Sequence, residues 1–358
     1  MFDFIPLEFY TPFFYYFLLI IAVIIYFELS SSGYKTSKLG RLLLLFIILY
    51  MGLRPISGRY FGDMGTYARS FENYQFNELI GDEKDIIFVY FMKWCSNIMN
   101  VHFFFLTCAF IYVYPLYLVC KKWFSNYWFY AFLLLIFSFS FWSFGTNGIR
   151  NGMATSLFLL GISRNKRVFQ IGWILLAIGM HKSMILPIIG FVLAQFYNKP
   201  KIMIWFWMLC IPLSLVAGGF WESFFASLGF EDERISYFNL DDIDEEAFSR
   251  AGFRWDFLLY SSTAVYAGWY FIVKKGFEDK IYYWLFNTYV FANAFWILVI
   301  RANFSNRFAY LSWFMMALVI VYPFLKKQVI PYQNKVLARV LLLYFAFTFL
   351  MNVILANN

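Results

Sequence analysis

Charge is what this chain has least of. Asp, Glu, Lys and Arg make up 14% of its 358 residues, and there are two histidines and four cysteines. A soluble globular domain carries roughly a quarter of its residues as charged ones, so that class is excluded. Cys95, Cys108, Cys120 and Cys210 are irregularly spaced, and all but Cys95 fall in apolar runs, which excludes a disulfide framework and a thiolate metal cluster. The stretch Met1 to Pro12 holds Asp3 and Glu8 but neither lysine nor arginine. It lacks the basic start of a cleaved signal, and Phe13 to Phe27 therefore reads as a retained span. No internal repeat of roughly 20 to 50 residues appears, and no low-complexity linker, so residues 1–358 are expected to form a single membrane domain.

What the chain does have is apolar: 62% hydrophobic and 25% aromatic residues, distributed from end to end. A bilayer core of about 30 Å asks for about 20 apolar residues per helix, and shorter segments are tolerated where they tilt or pack inside protein. The expected fold is an all-α polytopic integral membrane protein of about twelve transmembrane helices, within a range of ten to fourteen. The spans are read near 11–28, 41–53, 101–120, 127–145, 149–163, 168–181, 183–198, 202–220, 255–273, 282–300, 307–325 and 336–355.

The hairpin from Thr146 to His181 organises the rest. Its two apolar runs flank the basic turn Arg164-Asn165-Lys166-Arg167, and basic turns between apolar helices sit on the cytoplasmic side. The opposite ends carry Asn147, Arg150 and Asn151 on one helix and His181, Lys182 and Ser183 after the other. The same alternation applied to the whole chain leaves sixteen cations inside, thirteen of them lysine, and twelve outside, nine of them arginine. Positive-inside bias accounts for the net charge of +8 without nucleic acid. It does not account for arginine on the other face, where a planar fork matches phosphate or carboxylate.

Two outer loops are long. Loop 54–100 holds an amphipathic, interfacial helix from Ile86 to Met99, and loop 221–254 holds the acids Asp241-Asp242-Ile243-Asp244-Glu245-Glu246. Asp242 and Asp244 have the form of an Asp-x-Asp metal and pyrophosphate motif, but within a run of acids they read as a solvated loop. No metal and no cofactor are expected.

Several spans begin with a cap-like residue beside a cation or imidazole: Asn147 with Arg150, Ser183 after His181-Lys182, and Ser305-Asn306 with Arg307. Helix N-termini direct unsatisfied N–H groups outward, and with arginine they make a cradle for pyrophosphate. Taken singly, an interfacial arginine often only snorkels; the recurrence on one face is what points to an anion. A lone histidine is commonly a packed or capping residue, and His102, leading into Phe103-Phe104-Phe105, fits that description. His181 at a span end can instead take a proton from a hydroxyl. Asp63 is the carboxylate alternative, and it shares a face with Tyr67 if that segment is helical.

In these pieces the sequence resembles the EpsG-like, Wzy-type polysaccharide polymerases of bacteria. Gly62-Asp63 with Thr66-Tyr67, Gly148-Ile149-Arg150-Asn151-Gly152-Met153-Ala154, His181-Lys182-Ser183 and Asn306-Arg307-Phe308-Ala309-Tyr310 carry the resemblance across residues 50 to 320. The resemblance implies a GT-C-type glycosyltransferase of the inner membrane, similar to O-antigen ligases. It would join undecaprenyl-pyrophosphate-linked oligosaccharides into O-antigen, capsule or exopolysaccharide on the periplasmic face. A flippase and a chain-length regulator would be its pathway partners, with membrane lipids around it. On this reading Arg150 and Arg307, with Arg301, grip the pyrophosphate, and His181 or Asp63 accepts the proton. Arg54, Tyr67, Asn147 and Lys182 complete the pyrophosphate and glycan set.

Three alternatives come from other classes. A lipid-linked oligosaccharide flippase or other transporter would show mid-membrane charge and paired halves, whereas here charge keeps to the span ends apart from Arg339. An acyltransferase modifying surface polysaccharide would use the same histidine but take its donor from the cytoplasmic side. A structural scaffold would leave the arginine bias unexplained.

Overall fold

The computed structural model describes residues 4–34, 39–76, 85–227, 252–302 and 305–355. Asp242 and Asp244 lie outside them. Among the described residues the protein is all helix, without strand, and helix covers each of the twelve expected stretches. Five helical segments are long and apolar enough to cross a bilayer: Leu7–Ser32, Val101–Ile136, Pro200–Trp221, Asn306–Lys326 and Gln333–Ile354. The chain is a multi-pass membrane protein. Other apolar helices are shorter, such as Leu39–Gly52 and Arg167–Met180.

Residue contacts divide the chain into two compact units, Met1–Met184 with Phe324–Asn358, and Ile185–Pro323. The first begins with α1 (Leu7–Ser32) and α2 (Leu39–Gly52). Tyr10 and Tyr50 staple these two, their rings stacked 4.3 Å apart and each hydroxyl donating to the other's backbone carbonyl, at 2.6 and 2.8 Å. Buried phenols so far from water need such partners. Three shorter helices follow, α3 (Gly58–Phe61), α4 (Met64–Gln75) and α5 (Ile86–Ser96). Then come α6 (Val101–Phe124), α7 (Trp128–Ile136), α8 (Phe139–Thr146), α9 (Ile149–Ile162) and α10 (Arg167–Met180). The helix α9 is buried almost all round and packs on α6, α8 and α10. A fourteen-residue helix is too short to cross a bilayer upright, and its place is the core of this unit.

The stretch expected as one span over 127–145 is two helices. The chain breaks at Phe137-Ser138, where the Ser138 hydroxyl bonds back to the Leu135 carbonyl at 2.7 Å. The freed Phe137 carbonyl takes the Thr348 hydroxyl, also at 2.7 Å, from the later helix Gln333–Phe349 that belongs to this unit. A broken helix inside a membrane protein survives only with such replacement partners.

The second unit holds α11 (Ile185–Phe196), α12 (Pro200–Ser227), α13 (Trp255–Gly268), α14 (Lys280–Leu298) and α15 (Asn306–Lys326) up to Pro323. The last helix of the chain is α16, the Gln333–Phe349 helix already placed in the first unit. Within the second unit, Asn293 on α14 joins three other helices. Its Oδ1 accepts Trp207 Nε1 at 2.7 Å, and its Nδ2 donates to Ser261 Oγ and Ser312 Oγ at 3.2 and 2.9 Å. Helix α12 kinks at Ala217, just before Gly218, and the stem of Arg301 lies against that glycine.

Candidate functional site

The chemistry-bearing residues of the first unit meet where α4, α5, α9 and the turn after α10 come together. Two close approaches make this possible. Gly62, at φ +55°, brings its backbone so near Asn147 that a Cβ there would lie 2.4 Å from the amide oxygen. The adjoining Asp63 N–H then donates to that oxygen at 2.9 Å. Gly179, in the last turn of α10, leaves room for Ile87 of α5; a Cβ at 179 would lie 2.1 Å from Ile87 Cδ1. This contact seats the head of α5 beside His181 and Lys182.

At that head stands Asp85, 6% exposed. An aspartate at this position ordinarily accepts the amides of its own helix, but Asp85 makes no such bond. Its Oδ2 takes Arg150 Nη1 at 2.8 Å and lies 3.9 Å from His181 Nε2, while its Oδ1 takes the Lys182 amide at 3.0 Å. Arg150 gives its Nε to the Tyr67 hydroxyl at 3.1 Å. The guanidinium also lies against the rings of Tyr67 and Phe88, 5.6 and 5.9 Å from their centroids. Its Nη2 makes no hydrogen bond among the described residues, and the side chain is 30% exposed. Nε and Nη1 are therefore anchored, and Nη2 is the nitrogen left to present.

Burial raises the Tyr67 phenol above its ordinary value, with Arg150 opposing. It is a neutral hydroxyl that accepts from Arg150 and keeps its own proton to donate. Asp63 is half-buried and acts electrostatically on both Tyr67 and Arg150. Its segment is helical, and Tyr67 N–H bonds the Asp63 carbonyl at 3.0 Å, so the two share a face.

His181 ends α10 in an extended conformation. Its Nδ1 lies 2.7 Å from Ser183 Oγ and 3.2 Å from the Ser183 amide, and Ser183 Oγ donates to Asn151 Oδ1 at 3.1 Å. Two tautomers share this geometry. With the proton on Nδ1, the ring donates into a chain running through Ser183 to Asn151, and Nε2 is the unprotonated, basic nitrogen. With the proton on Nε2, Nδ1 caps the Ser183 amide and the ring has no basic edge.

Arg150, His181, Tyr67, Asp63, Asn147 and the Lys182 backbone are thus brought together. The Lys182 and Ser183 amides, expected to face an anion, are occupied by Asp85 and His181. Asn147 does not cap α9 but bridges to Asp63. Arg54 is 1% exposed and donates to the carbonyls of Met51 and Thr146, the latter at 2.8 Å, with Phe61 and Phe105 on its faces. It braces the C-termini of α2 and α8 rather than facing outward. Arg301, exposed, and Arg307, half-buried, belong to the second unit. Asp85, Asn151 and Ser183 complete the cluster, and of these Asp85 is the one that sequence reasoning passed over. Its one signal is position, as the last acid before the apolar run of α5.

Comparison with protein families gives a match to the EpsG family over residues 38–358. The chain belongs to the EpsG family. Membership supports a membrane polysaccharide-polymerase role in general. The matched stretch includes every residue of the cluster just described. Neither the curated proteins nor the solved structures give a match to this EpsG-family chain.

Proposed function

We propose that this chain is a bacterial inner-membrane polymerase of the GT-C type that joins undecaprenyl-pyrophosphate-linked oligosaccharides on the extracytoplasmic face. The observation that carries the reading is the Arg150 guanidinium, held at Nε by Tyr67 and at Nη1 by Asp85, with Nη2 presented. A pyrophosphate is already a good leaving group. It needs a cation to hold the charge that develops as its bond breaks more than it needs a general acid.

The hydroxyl of the incoming repeat unit attacks the anomeric carbon of the growing chain. The new glycosidic bond forms as the carbon–oxygen bond to the lipid pyrophosphate breaks, and the pyrophosphate leaves with the electron pair toward Arg150. His181 Nε2 takes the hydroxyl proton, in the tautomer held by Ser183 and Asn151. The imidazolium that forms stands 3.9 Å from the Asp85 carboxylate, which stabilises it. Arginine supplies the charge at the leaving group, so the reaction is proposed to run without a metal. A flippase that delivers the repeat units and a chain-length regulator are the proposed pathway partners.

The test is reconstitution. Protein purified in detergent and given a lipid-pyrophosphate-linked oligosaccharide should produce a ladder of longer glycans on a gel, with or without chelator. Arg150→Lys should slow growth of the ladder by about 100- to 1,000-fold although it keeps the charge, because the fork is lost. A full ladder from Arg150→Lys at normal membrane level would remove Arg150 from the site.

A further inference from the structure

Asp85 touches every part of this cluster that matters to the proposed reaction, yet it is the least accessible member. It also leaves α5 without the side-chain cap that an aspartate at this position ordinarily supplies. The carboxylate is turned away from its own helix and onto residues 65 and 97 positions along the chain.

We propose that Asp85 is a positioning residue. It locks the Arg150 guanidinium so that Nη2 meets the pyrophosphate, and it holds the turn at His181-Lys182 so that the imidazole faces the same space. The inference rests on the reading of Arg150 given above.

Two physical effects of Asp85 oppose each other, and that makes the idea decidable. Its negative charge, 2.8 Å from the guanidinium, weakens the attraction of the site for any anion. Its two hydrogen bonds fix the guanidinium in one place, and a misplacement of about 1 Å costs on the order of 100-fold in rate. Asparagine at this position keeps the shape but carries no charge, and it can accept from only one of Arg150 and Lys182, which in the natural protein bond to different carboxylate oxygens. If charge compensation were all Asp85 did, Asp85→Asn would lower KM and keep kcat. If Asp85 positions the fork, kcat falls, because the charge-assisted bond is gone.

The experiment is steady-state polymerisation by the full-length protein in detergent on a lipid-pyrophosphate-linked oligosaccharide, with thermal melting of each variant measured alongside. Asp85→Asn should lose about 10- to 100-fold in kcat with a smaller change in KM. Asp85→Glu, which keeps the charge but moves it by a methylene, should fall between that variant and the natural protein. The double variant Asp85→Asn/Arg150→Lys should be no slower than Arg150→Lys alone, since residues acting through one contact are not additive. Should Asp85→Asn not fold, Asp85→Glu and its double with Arg150→Lys carry the test. Natural kcat in Asp85→Asn, or a double variant that multiplies the two single losses, overturns the role of Asp85. No ladder from the natural protein overturns the reading of Arg150 itself, and the two failures are thereby distinct.

Discussion

Gly62 and Asn147 lie in such close contact that a Cβ at position 62 would stand 2.4 Å from the Asn147 amide oxygen and displace that side chain, and the backbone at Gly62 is left-handed at φ +55°. A Gly62→Ala variant meets both obstacles. It strains a backbone conformation that other residues adopt at a cost of roughly 1–3 kcal/mol, and it pushes away the oxygen that receives the Asp63 N–H. A lower melting temperature in detergent and a loss of polymerisation are the expected outcomes. A variant with unchanged melting and rate would show that the loop carrying Asp63 and Tyr67 does not depend on this contact.

Gly179 and Ile87 offer a suppressor test. A methyl group at 179 would collide with Ile87 and displace the head of α5, taking Asp85 from Arg150. Gly179→Ala should therefore lose activity, and Ile87→Ala in the same chain should restore much of it by emptying the space. If Ile87→Ala brings no recovery, α5 is not held in place by this contact.

Asn293 makes a separate prediction about stability. Its three hydrogen bonds tie α14 to α12, α13 and α15, and each such bond in a membrane bundle is worth roughly 0.6 kcal/mol. Asn293→Ala should cost on the order of 2 kcal/mol, seen as a lower melting temperature with the rate per folded molecule unchanged. An unmoved melting temperature would mean that the polar network is not what joins these helices.

Much of the fold is written locally. Apolar length marks the twelve expected stretches, each of which is helical, and the four-residue spacing of Asp63 and Tyr67 places them on one face as soon as α4 forms. Arg150 and His181 are legible because they end apolar runs on the same side of a basic turn. Asp85 is not, because its partners lie 65 and 97 residues away and an acid following Asp82, Glu83 and Lys84 reads as solvated surface. The break at Phe137-Ser138 is hidden for a similar reason. The run around it is apolar throughout, and the hydroxyl that donates to the loose carbonyl, that of Thr348, comes from 211 residues further on.

The choice between His181 and Asp63 as base turns on which ring nitrogen carries the proton. If Nδ1 donates through Ser183 to Asn151, Ser183→Ala removes the partner that holds this tautomer, and the remaining amide at 3.2 Å draws the proton to Nε2. The rate should then fall about 10- to 100-fold with KM preserved, and His181→Ala should fall further, into the range of about 100- to 10,000-fold that general-base loss brings. His181→Asn separates this from a capping role, since an asparagine side chain can accept the Ser183 amide but cannot take a proton from a hydroxyl. An inactive, normally melting His181→Asn identifies the imidazole as the base. A fully active one makes His181 a cap, and the loss should then appear in Asp63→Asn, whose carboxylate already acts on Tyr67 and Arg150.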